Sequence, residues 1–521
     1  MQCAAWTART LIIMGLALQI SAASGADPLT IKTEQGKIHG KLINDGKVRA
    51  FLGISYAAPP VGDLRWKAPQ PPARWKSVRE ATRFGAHCAQ NHLFDDIAFQ
   101  DAGPSENCLF LNIYTPANAQ SGSGLPVMFW IHGGGYGAGS GDEPRHNGDF
   151  LPLKGVVLVT INYRLGVFGF LATTDLAKEA GGTAGNYGLM DMIAALNWVK
   201  GNIAQFGGDP GNVTIFGESA GSNAVSTLMA SPIAQGLFEK AIGESGAAFG
   251  DGLGGATLAK NAPVDDAWVA SLGVRSLKEL RDLSTDRILA AAGKLGAPKF
   301  SVVIDGHVLT EPVVNTYASG KQAHVPLLAG WNRDDYPMVA TAAGMTAARW
   351  KALAARRFGD RADAFLALYP GADNEQATRS AIDYGSDTFI AFSTWKWVEA
   401  QVKTGDAPVF RYHFELAPPP SKFHPGSYAF HSDEIEYVFG TLDTRPGAVW
   451  RPEDRKLSEA MMDYWTNFAR TGDPNGAGLP EWPRFDKTGK LIHLGAAITN
   501  GPDTVRPRYE FLLQGMPSRT F

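Results

Sequence analysis

The sequence predicts an α/β fold, in which a central, mostly parallel sheet is flanked by helices. Short apolar, strand-like runs alternate with helical patterns and turn signals from about residue 30 to 240. No Pro/Ser-rich linker, internal repeat or low-complexity segment divides the 521-residue chain. With 45% hydrophobic residues and 13 tryptophans, the chain can bury an extensive core. We therefore expect one domain over 27–521, with insertions.

The first 26 residues have the pattern of a secretory signal peptide. Arg9 precedes the apolar run Leu11–Ile20, and small residues follow up to Ala26. Cleavage after Ala23 and cleavage after Ala26 both fit, and a buried N-terminal helix is the alternative. The run is too short to span a bilayer, and no later stretch reaches about 20 apolar residues, so we expect a secreted or periplasmic protein without a membrane span.

The net charge bears on the partners of the protein, and the cysteine content bears on its disulfides. The formal net charge of −3 gives no electrostatic reason to expect a nucleic-acid partner. Of the three cysteines, Cys3 lies in the predicted signal peptide, which leaves Cys88 and Cys108 as the only possible pair. An oxidising compartment would allow these two to form a disulfide.

Three apolar runs and one amphipathic helix predict the centre of the sheet. Val127–Ile131 and Val156–Ile161 are strand-like, the helical pattern Leu189–Ile203 follows, and Val213–Phe216 is again strand-like. A strand, helix, strand order implies parallel pairing. Further along, Leu457–Ala469 predicts another helix.

Two Ala-rich helical regions, about 255–300 and 345–405, interrupt the alternation of strands and helices. We expect them to form a helical cap over the mouth of the site. Ordinary helices packed on the sheet edge remain the alternative.

Ser219 is the candidate nucleophile. It lies between Gly217 and Gly221, directly after the strand-like run 213–216. A sharp strand-to-helix turn with glycines on either side exposes a serine Oγ at the start of the helix. A GxSxG pattern can arise by chance in a chain with 59 glycines, but the strand before it and the helical run 220–229 after it favour a nucleophile.

A serine nucleophile needs oxyanion donors, a base and a group that orients the base. The glycine loop His132–Gly135 ends a strand and can supply backbone N–H donors, with a further donor at Ala220; a tight structural turn is the alternative. In hydrolases with such a sheet, the acid and then the histidine follow the nucleophile along the chain. Six histidines satisfy this order: His307, His324, His413, His424, His431 and His493.

His431 follows a proline- and glycine-rich loop and is the preferred base, with His424 as its main rival. The acid should follow a strand between serine and histidine. The apolar run Leu327–Trp331 is followed by Asp334 and Asp335, and spacing alone leaves both open.

These segments together resemble the type-B carboxylesterase family, which includes bacterial esterases, lipases and cholinesterases. The segment 206–221, FGGDPGNVTIFGESAG, is similar to the serine signature of that family. Glu106–Asn112 resembles its second signature, with Asn107 where aspartate is usual, and Gly185–Leu189 is also similar. The resemblance covers nearly the whole mature chain.

The resemblance implies the α/β-hydrolase fold and a set of site residues. These are Ser219 as nucleophile, His431 as base, Asp335 as acid, and Gly134, Gly135 and Ala220 as oxyanion donors. Asp335 stands where the family usually has glutamate in a DEG motif, whereas this chain reads Asp334-Asp335-Tyr336.

The resemblance also implies supporting residues. Glu218 and Glu434 match a buried acidic pair behind the triad, Ser245 lies near the acid, and Cys88 with Cys108 matches the first disulfide of the family. No tryptophan lies between those cysteines, where cholinesterases bind choline, so choline esters are disfavoured.

We therefore expect a serine carboxylesterase that acts on a small-molecule ester through an acyl-enzyme. A lipase for longer-chain esters and a non-catalytic binding module are the alternatives. Arg145 and His146, beyond the glycine loop, are weaker candidates for binding a carboxylated ester, with a solvated loop as the alternative. Neither HExxH nor a P-loop occurs, so no cofactor or metal is expected. The ester and the oligomeric state stay open.

Overall fold

A computed structural model of the protein describes residues 27–250, 255–296, 299–336, 342–424, 426–486 and 489–515. The segment predicted as a signal peptide, 1–26, lies outside the described residues.

The strands are short, and most of them belong to one large sheet. In chain order they are β1 (Thr30–Lys32), β2 (Lys37–His39), β3 (Lys41–Ile43), β4 (Val48–Ser55), β5 (Arg79–Glu80), β6 (Phe110–Pro116), β7 (Leu125–Ile131), β8 (Val157–Ile161), β9 (Gly208–Glu218), β10 (Lys240–Glu244), β11 (Ala256–Thr257), β12 (Val303–Ile304), β13 (Leu327–Asn332), β14 (Val409–Phe414), β15 (Lys490–Leu494) and β16 (Ile498–Pro502).

The central sheet has 11 strands in the order β16-β15-β14-β13-β10-β9-β7-β8-β6-β4-β3. The seven strands from β15 to β8 in that order run parallel, and the strands at either edge are antiparallel. This confirms the predicted α/β class with a mostly parallel sheet. Strands β8 and β9 run in the same direction, as expected, but they are not neighbours, because β7 lies between them.

Helices cover both faces of the sheet. They are α1 (Gly166–Phe170), α2 (Thr174–Glu179), α3 (Tyr187–Asn202), α4 (Ala220–Ala230), α5 (Leu258–Ser271), α6 (Leu277–Arg281), α7 (Thr285–Gly293), α8 (Val313–Ala318), α9 (Ala347–Phe358), α10 (Ala362–Leu368), α11 (Asn374–Ser386), α12 (Phe392–Thr404), α13 (Ile435–Phe439), α14 (Pro452–Thr471) and α15 (Arg506–Gln514).

Strand β7 shows how the core is divided. Phe129 packs into the cluster that contains α3 and α4, whereas Trp130 packs into the cluster on the other face, which contains α14. Because successive side chains of a strand point to opposite faces, an uninterrupted apolar strand requires helices on both sides. The apolar runs of the sequence therefore become buried central strands.

The two Ala-rich regions are helical in the structure. Helices α5 to α7 occupy the first region, and α9 to α12 occupy the second. Trp350, Phe365 and Tyr384 build a separate small core, which Phe511 of α15 joins. A π-helical turn, Asp387–Ala391, connects α11 to α12. The role of these regions as a cap stays a prediction.

Cys88 and Cys108 form a disulfide that closes the loop between them, here named the Cys88–Cys108 loop. Within the described residues, no helix has both the length and the apolarity that crossing a membrane requires.

Candidate active site

Ser219 lies on a strained turn between the end of β9 and the start of α4. Its φ of 56° and ψ of −119° are values that non-glycine residues rarely adopt. The turn lies against the end of β7. A Cβ on Gly217 would be 2.6 Å from the Ile131 carbonyl oxygen, and one on Gly221 would be 1.9 Å from it. The glycines around Ser219 therefore allow this turn to pack against the end of β7.

His431 connects Ser219 to Asp335. Its Nε2 lies 2.9 Å from Ser219 Oγ, and its Nδ1 lies 2.5 Å from Asp335 Oδ1. Asp335 is fully buried, and its second oxygen accepts a hydrogen bond of 3.1 Å from the backbone N–H of Asn332. The three side chains therefore form a continuous hydrogen-bonded chain from hydroxyl to imidazole to carboxylate.

The rival acid and the rival base face other partners. Asp334 accepts a hydrogen bond from the backbone N–H of Ala429 and pairs with the guanidinium of Arg379, at 2.9 and 2.5 Å. His424 directs its Nδ1 to Asp433, 3.0 Å away. The structure therefore brings Asp335 and His431, and not Asp334 or His424, to the serine.

Further carboxylates are buried behind the hydrogen-bonded chain. Glu218 Oε1 lies 3.3 Å from His431 Nε2. The Asn332 side chain donates a hydrogen bond of 2.5 Å to Glu434. Glu244, at the end of β10, accepts a hydrogen bond of 2.7 Å from the Trp465 indole. Glu244 could not be identified from the sequence, because an acid at the end of a strand has no distinctive local signal.

Ser245 follows Glu244 with a φ of 49°, and its backbone N–H donates to the Gly330 carbonyl oxygen at 2.9 Å. Its Oγ is buried without a hydrogen-bond partner in the described part of the chain. The backbone of Ser245 thus joins β10 to β13, and its hydroxyl does not bond to Asp335.

Burial and mutual repulsion govern the ionisation of these acids. Burial raises the pKa of Glu218, Glu244 and Glu434, and the neighbouring carboxylates raise each of them further. Burial lowers the pKa of His431, but the carboxylates of Glu218 and Asp335 outweigh this effect and raise it to about 9. The acidic surroundings therefore favour the imidazolium form of His431, the form that accepting a proton from serine produces.

The glycine loop lies directly against the serine. A Cβ on Gly133 would be 2.9 Å from the Glu218 carbonyl oxygen and 3.1 Å from Ser219 Cβ, so a larger residue would force the two segments apart. Gly134 and Gly135 have φ values of 94° and 63°. No residue in the described ranges accepts a hydrogen bond from the backbone N–H of Gly134, Gly135 or Ala220. These three N–H groups therefore have no acceptor among the described residues, as a donor to an oxyanion requires.

The structure corrects the interpretation of Arg145 and His146. His146 is 1% exposed and packs against Trp130, and burial lowers its pKa well below the usual range, so it is neutral. Arg145 Nη2 lies 2.8 Å from Glu143, and Nη1 lies 3.2 Å from Asp96. Neither side chain therefore presents an unpaired positive charge to a carboxylated ester, and neither lies in a solvated loop.

An exposed apolar side chain lies beside the site. Phe389, in the π-helical turn, places its ring edge-on to the His431 ring with centroids 5.2 Å apart, and it is 43% exposed. A cavity lies between the Cys88–Cys108 loop and Ala138, and its wall is formed by polar side chains such as Gln90 and His92 together with Leu93 and Phe94. Sequence reasoning missed Phe389, because its proximity to His431 arises only from the packing of the second Ala-rich region.

Comparisons with known proteins agree with this architecture. The profile described as the carboxylesterase family matches residues 27–510. The chain is 36% identical to the fumonisin B1 esterase of Sphingopyxis macrogoltabida, an alignment that covers 95% of this chain and 91% of that protein. It is 34% identical to the para-nitrobenzyl esterase of Bacillus subtilis (strain 168), with 93% and 99% covered.

A solved structure is similar over the same extent. The carboxylesterase EST55 of Geobacillus stearothermophilus superposes with a TM-score of 0.80 at 33% identity, covering 92% of this chain and 99% of that one. Such agreement confirms the α/β-hydrolase fold. The chain therefore belongs to the carboxylesterase family and is a serine hydrolase that acts on carboxylic esters.

Proposed function

We propose that Ser219, His431 and Asp335 form the catalytic triad of this esterase. The observation that carries the proposal is the 2.9 Å contact between Ser219 Oγ and His431 Nε2, which places a base at the hydroxyl. The strained backbone of Ser219 supports it, since such strain persists where the surrounding structure enforces it.

The reaction begins when His431 Nε2 takes the hydroxyl proton while Ser219 Oγ attacks the ester carbonyl carbon. The carbonyl oxygen becomes an oxyanion, which accepts hydrogen bonds from the backbone N–H groups of Gly134, Gly135 and Ala220. Asp335 holds the Nδ1–H and stabilises the imidazolium.

Breakdown of the tetrahedral intermediate releases the alcohol, which receives the proton from His431 Nε2. A water molecule then gives a proton to the same nitrogen and attacks the acyl carbon, so that the carboxylic acid leaves and Ser219 regains its proton. No cofactor enters this sequence of steps.

The ester is expected to contact Phe389, whose exposed ring lies 5.2 Å from the His431 ring. An aromatic side chain at this position suits an apolar part of the ester, because ligand sites are lined mainly by hydrophobic and aromatic side chains.

We also propose that the protein is exported. Residues 1–26 have the composition of a signal peptide, and residues 27–521 form the catalytic domain, with the two Ala-rich regions as a cap. The disulfide between Cys88 and Cys108 supports a secreted or periplasmic location, since disulfides persist in oxidising compartments.

Replacing the serine tests the proposed chemistry. Ser219→Ala should reduce kcat for a soluble ester to below about one-thousandth, with unchanged thermal unfolding, because the oxyanion donors alone support little turnover. Ser319→Ala, at an exposed position after α8, is the matched control and should keep full activity. Retention of more than that fraction by Ser219→Ala would contradict the assignment.

A further inference from the structure

Three potential metal ligands meet at the carboxyl ends of β14 and β15. His413 and His493 lie opposite each other in these parallel strands, and Glu415 directly follows β14. His413 Nδ1 is 2.9 Å and His493 Nδ1 is 2.7 Å from the same oxygen, Glu415 Oε1. The three ligand atoms all lie within 4.8 Å of one another.

We propose that His413, Glu415 and His493 form a binding site for a divalent transition-metal ion, for which Zn²⁺ is the reference case. Two imidazoles and one carboxylate are a donor set that zinc accepts, and water completes the four-coordinate shell. The hard ions Mg²⁺ and Ca²⁺ prefer oxygen ligands and are excluded by the two nitrogens.

Both rings direct the same nitrogen to the carboxylate. His413 Nδ1 and His493 Nδ1 face Glu415 Oε1, so the three ligand atoms converge on one point. In the metal-bound state both Nδ1 atoms are ligands, so each ring carries its proton on Nε2. The side chains are 13%, 33% and 20% exposed in chain order, which admits both water and the ion.

The site is held in place before any ion arrives. The backbone N–H groups of Glu415 and Leu416 both donate to the Leu494 carbonyl oxygen, at 2.9 and 3.3 Å, so Glu415 is fixed to the end of β15. Arg333 follows the neighbouring strand β13. Its guanidinium pairs with Asp334 at 3.1 Å. Pre-arranged ligands lose little freedom on binding, which favours affinity.

The position separates this site from the proposed nucleophile, although Asp335 follows β13, the strand next to β14. Strand β14 lies three strands from β9, which Ser219 follows. At about 4.8 Å per strand that separation is roughly 14 Å. No local sequence pattern predicts the site, because Glu415 and His493 lie 78 positions apart in the chain.

Titration of Zn²⁺ into the chelator-treated full-length protein, followed by calorimetry and by thermal unfolding, tests the proposal. Wild type should bind one Zn²⁺ at this site and unfold at a higher temperature as Zn²⁺ is raised, because an ion that binds only the folded chain stabilises it. Co²⁺ in place of Zn²⁺ should give the visible absorption of a four-coordinate site.

His493→Ala should weaken binding at least about tenfold and abolish the rise in Tm. Glu415→Gln, which keeps the shape of the side chain, should do the same and guards against misfolding of the first variant. His324→Ala is the matched control. In the described part of the chain, the His324 imidazole has one hydrogen-bond partner, the Gly320 carbonyl oxygen, 2.9 Å away. Equal Zn²⁺ affinity in wild type and both site variants, or no Zn²⁺ uptake by wild type, would overturn the proposal.

Discussion

At the scale of single residues, Ser219 carries a backbone strain that its neighbours maintain. Its φ of 56° is a value that non-glycine residues rarely adopt, and its N–H donates a hydrogen bond of 2.8 Å to the Glu244 carbonyl oxygen. Strain of this kind costs on the order of 1–3 kcal/mol and is offset by the packing around the turn between β9 and α4. The buried glycines on either side, Gly217 and Gly221, allow that packing.

The two adjacent aspartates provide an internal comparison. Asp335→Asn should lower kcat about 10⁴-fold, because the amide N–H of asparagine can donate to His431 Nδ1, which leaves the ring proton on Nε2, where it blocks proton transfer from serine. Asp334→Asn should retain most of the kcat while lowering Tm, because it breaks the pair with Arg379. Steady-state kinetics and thermal unfolding of both variants separate the two roles; a larger loss of kcat in Asp334→Asn would contradict this assignment.

The acidic surroundings of His431 predict the pH dependence of the enzyme. The base must be neutral to accept the serine proton, and the pKa of His431 is raised to about 9, so kcat/KM should rise with pH up to that region. Glu218→Gln removes one negative charge and should move the midpoint of this rise to lower pH.

Measuring kcat/KM against pH for wild type and Glu218→Gln checks the shift. Glu459→Gln is the control, since its carboxylate is 62% exposed and paired with Lys154. A midpoint that stays in place or moves to higher pH in Glu218→Gln would show that Glu218 does not raise the pKa of His431.

At the scale of elements, the Cys88–Cys108 loop joins the disulfide to the site. Its Leu93 and Phe94 line the cavity beside Ala138, and its Asp96 pairs with Arg145 at 3.2 Å. The loop has little regular structure between its two cysteines, so the disulfide limits its freedom.

Removing that crosslink should affect both stability and binding. The double variant Cys88→Ser, Cys108→Ser should lose about 3 kcal/mol of unfolding free energy, the value expected for a loop of about 20 residues. It should also raise KM more than it lowers kcat, because the loop supports the segment after the glycine loop through hydrogen bonds between Gln90 and Gly139 and holds no residue of the proposed triad. Urea unfolding and ester kinetics measure the two effects, and an unchanged urea midpoint would argue against the structural role.

The sequence predicts the central elements well, because their signals are local. The apolar runs 127–131 and 156–161 become β7 and β8, and the helical run 220–229 becomes α4. The position of β7 between β8 and β9 was not predictable, since strand order depends on long-range pairing. Strand β9 also begins at Gly208, earlier than the apolar run, because β7 continues to pair with it there.

At the scale of the whole molecule, the parallel sheet gathers residues that lie far apart in the chain. Ser219 follows β9 and Asp335 follows β13, so both lie at the carboxyl ends of parallel strands, where α/β proteins place their sites. His431 reaches them from 212 positions beyond the serine and 96 beyond the acid.

The same long-range assembly limits what sequence reasoning can find in the site. The nucleophile and the glycine loop have local signatures, whereas the choice between Asp334 and Asp335 required family resemblance and then contacts. Glu244 and Phe389 have no local signal, since only folding brings Glu244 beside Ser219 and Phe389 beside His431. The burial of His146 likewise depends on Trp130 from another element.

Labelling with an organophosphate, followed by peptide mass spectrometry, tests whether Ser219 is the nucleophile. We expect one phosphoryl group per chain, on Ser219, with loss of esterase activity in proportion to labelling and no labelling of Ser219→Ala. Complete inactivation with the label on another residue, or full activity after Ser219 is modified, would contradict this role of Ser219.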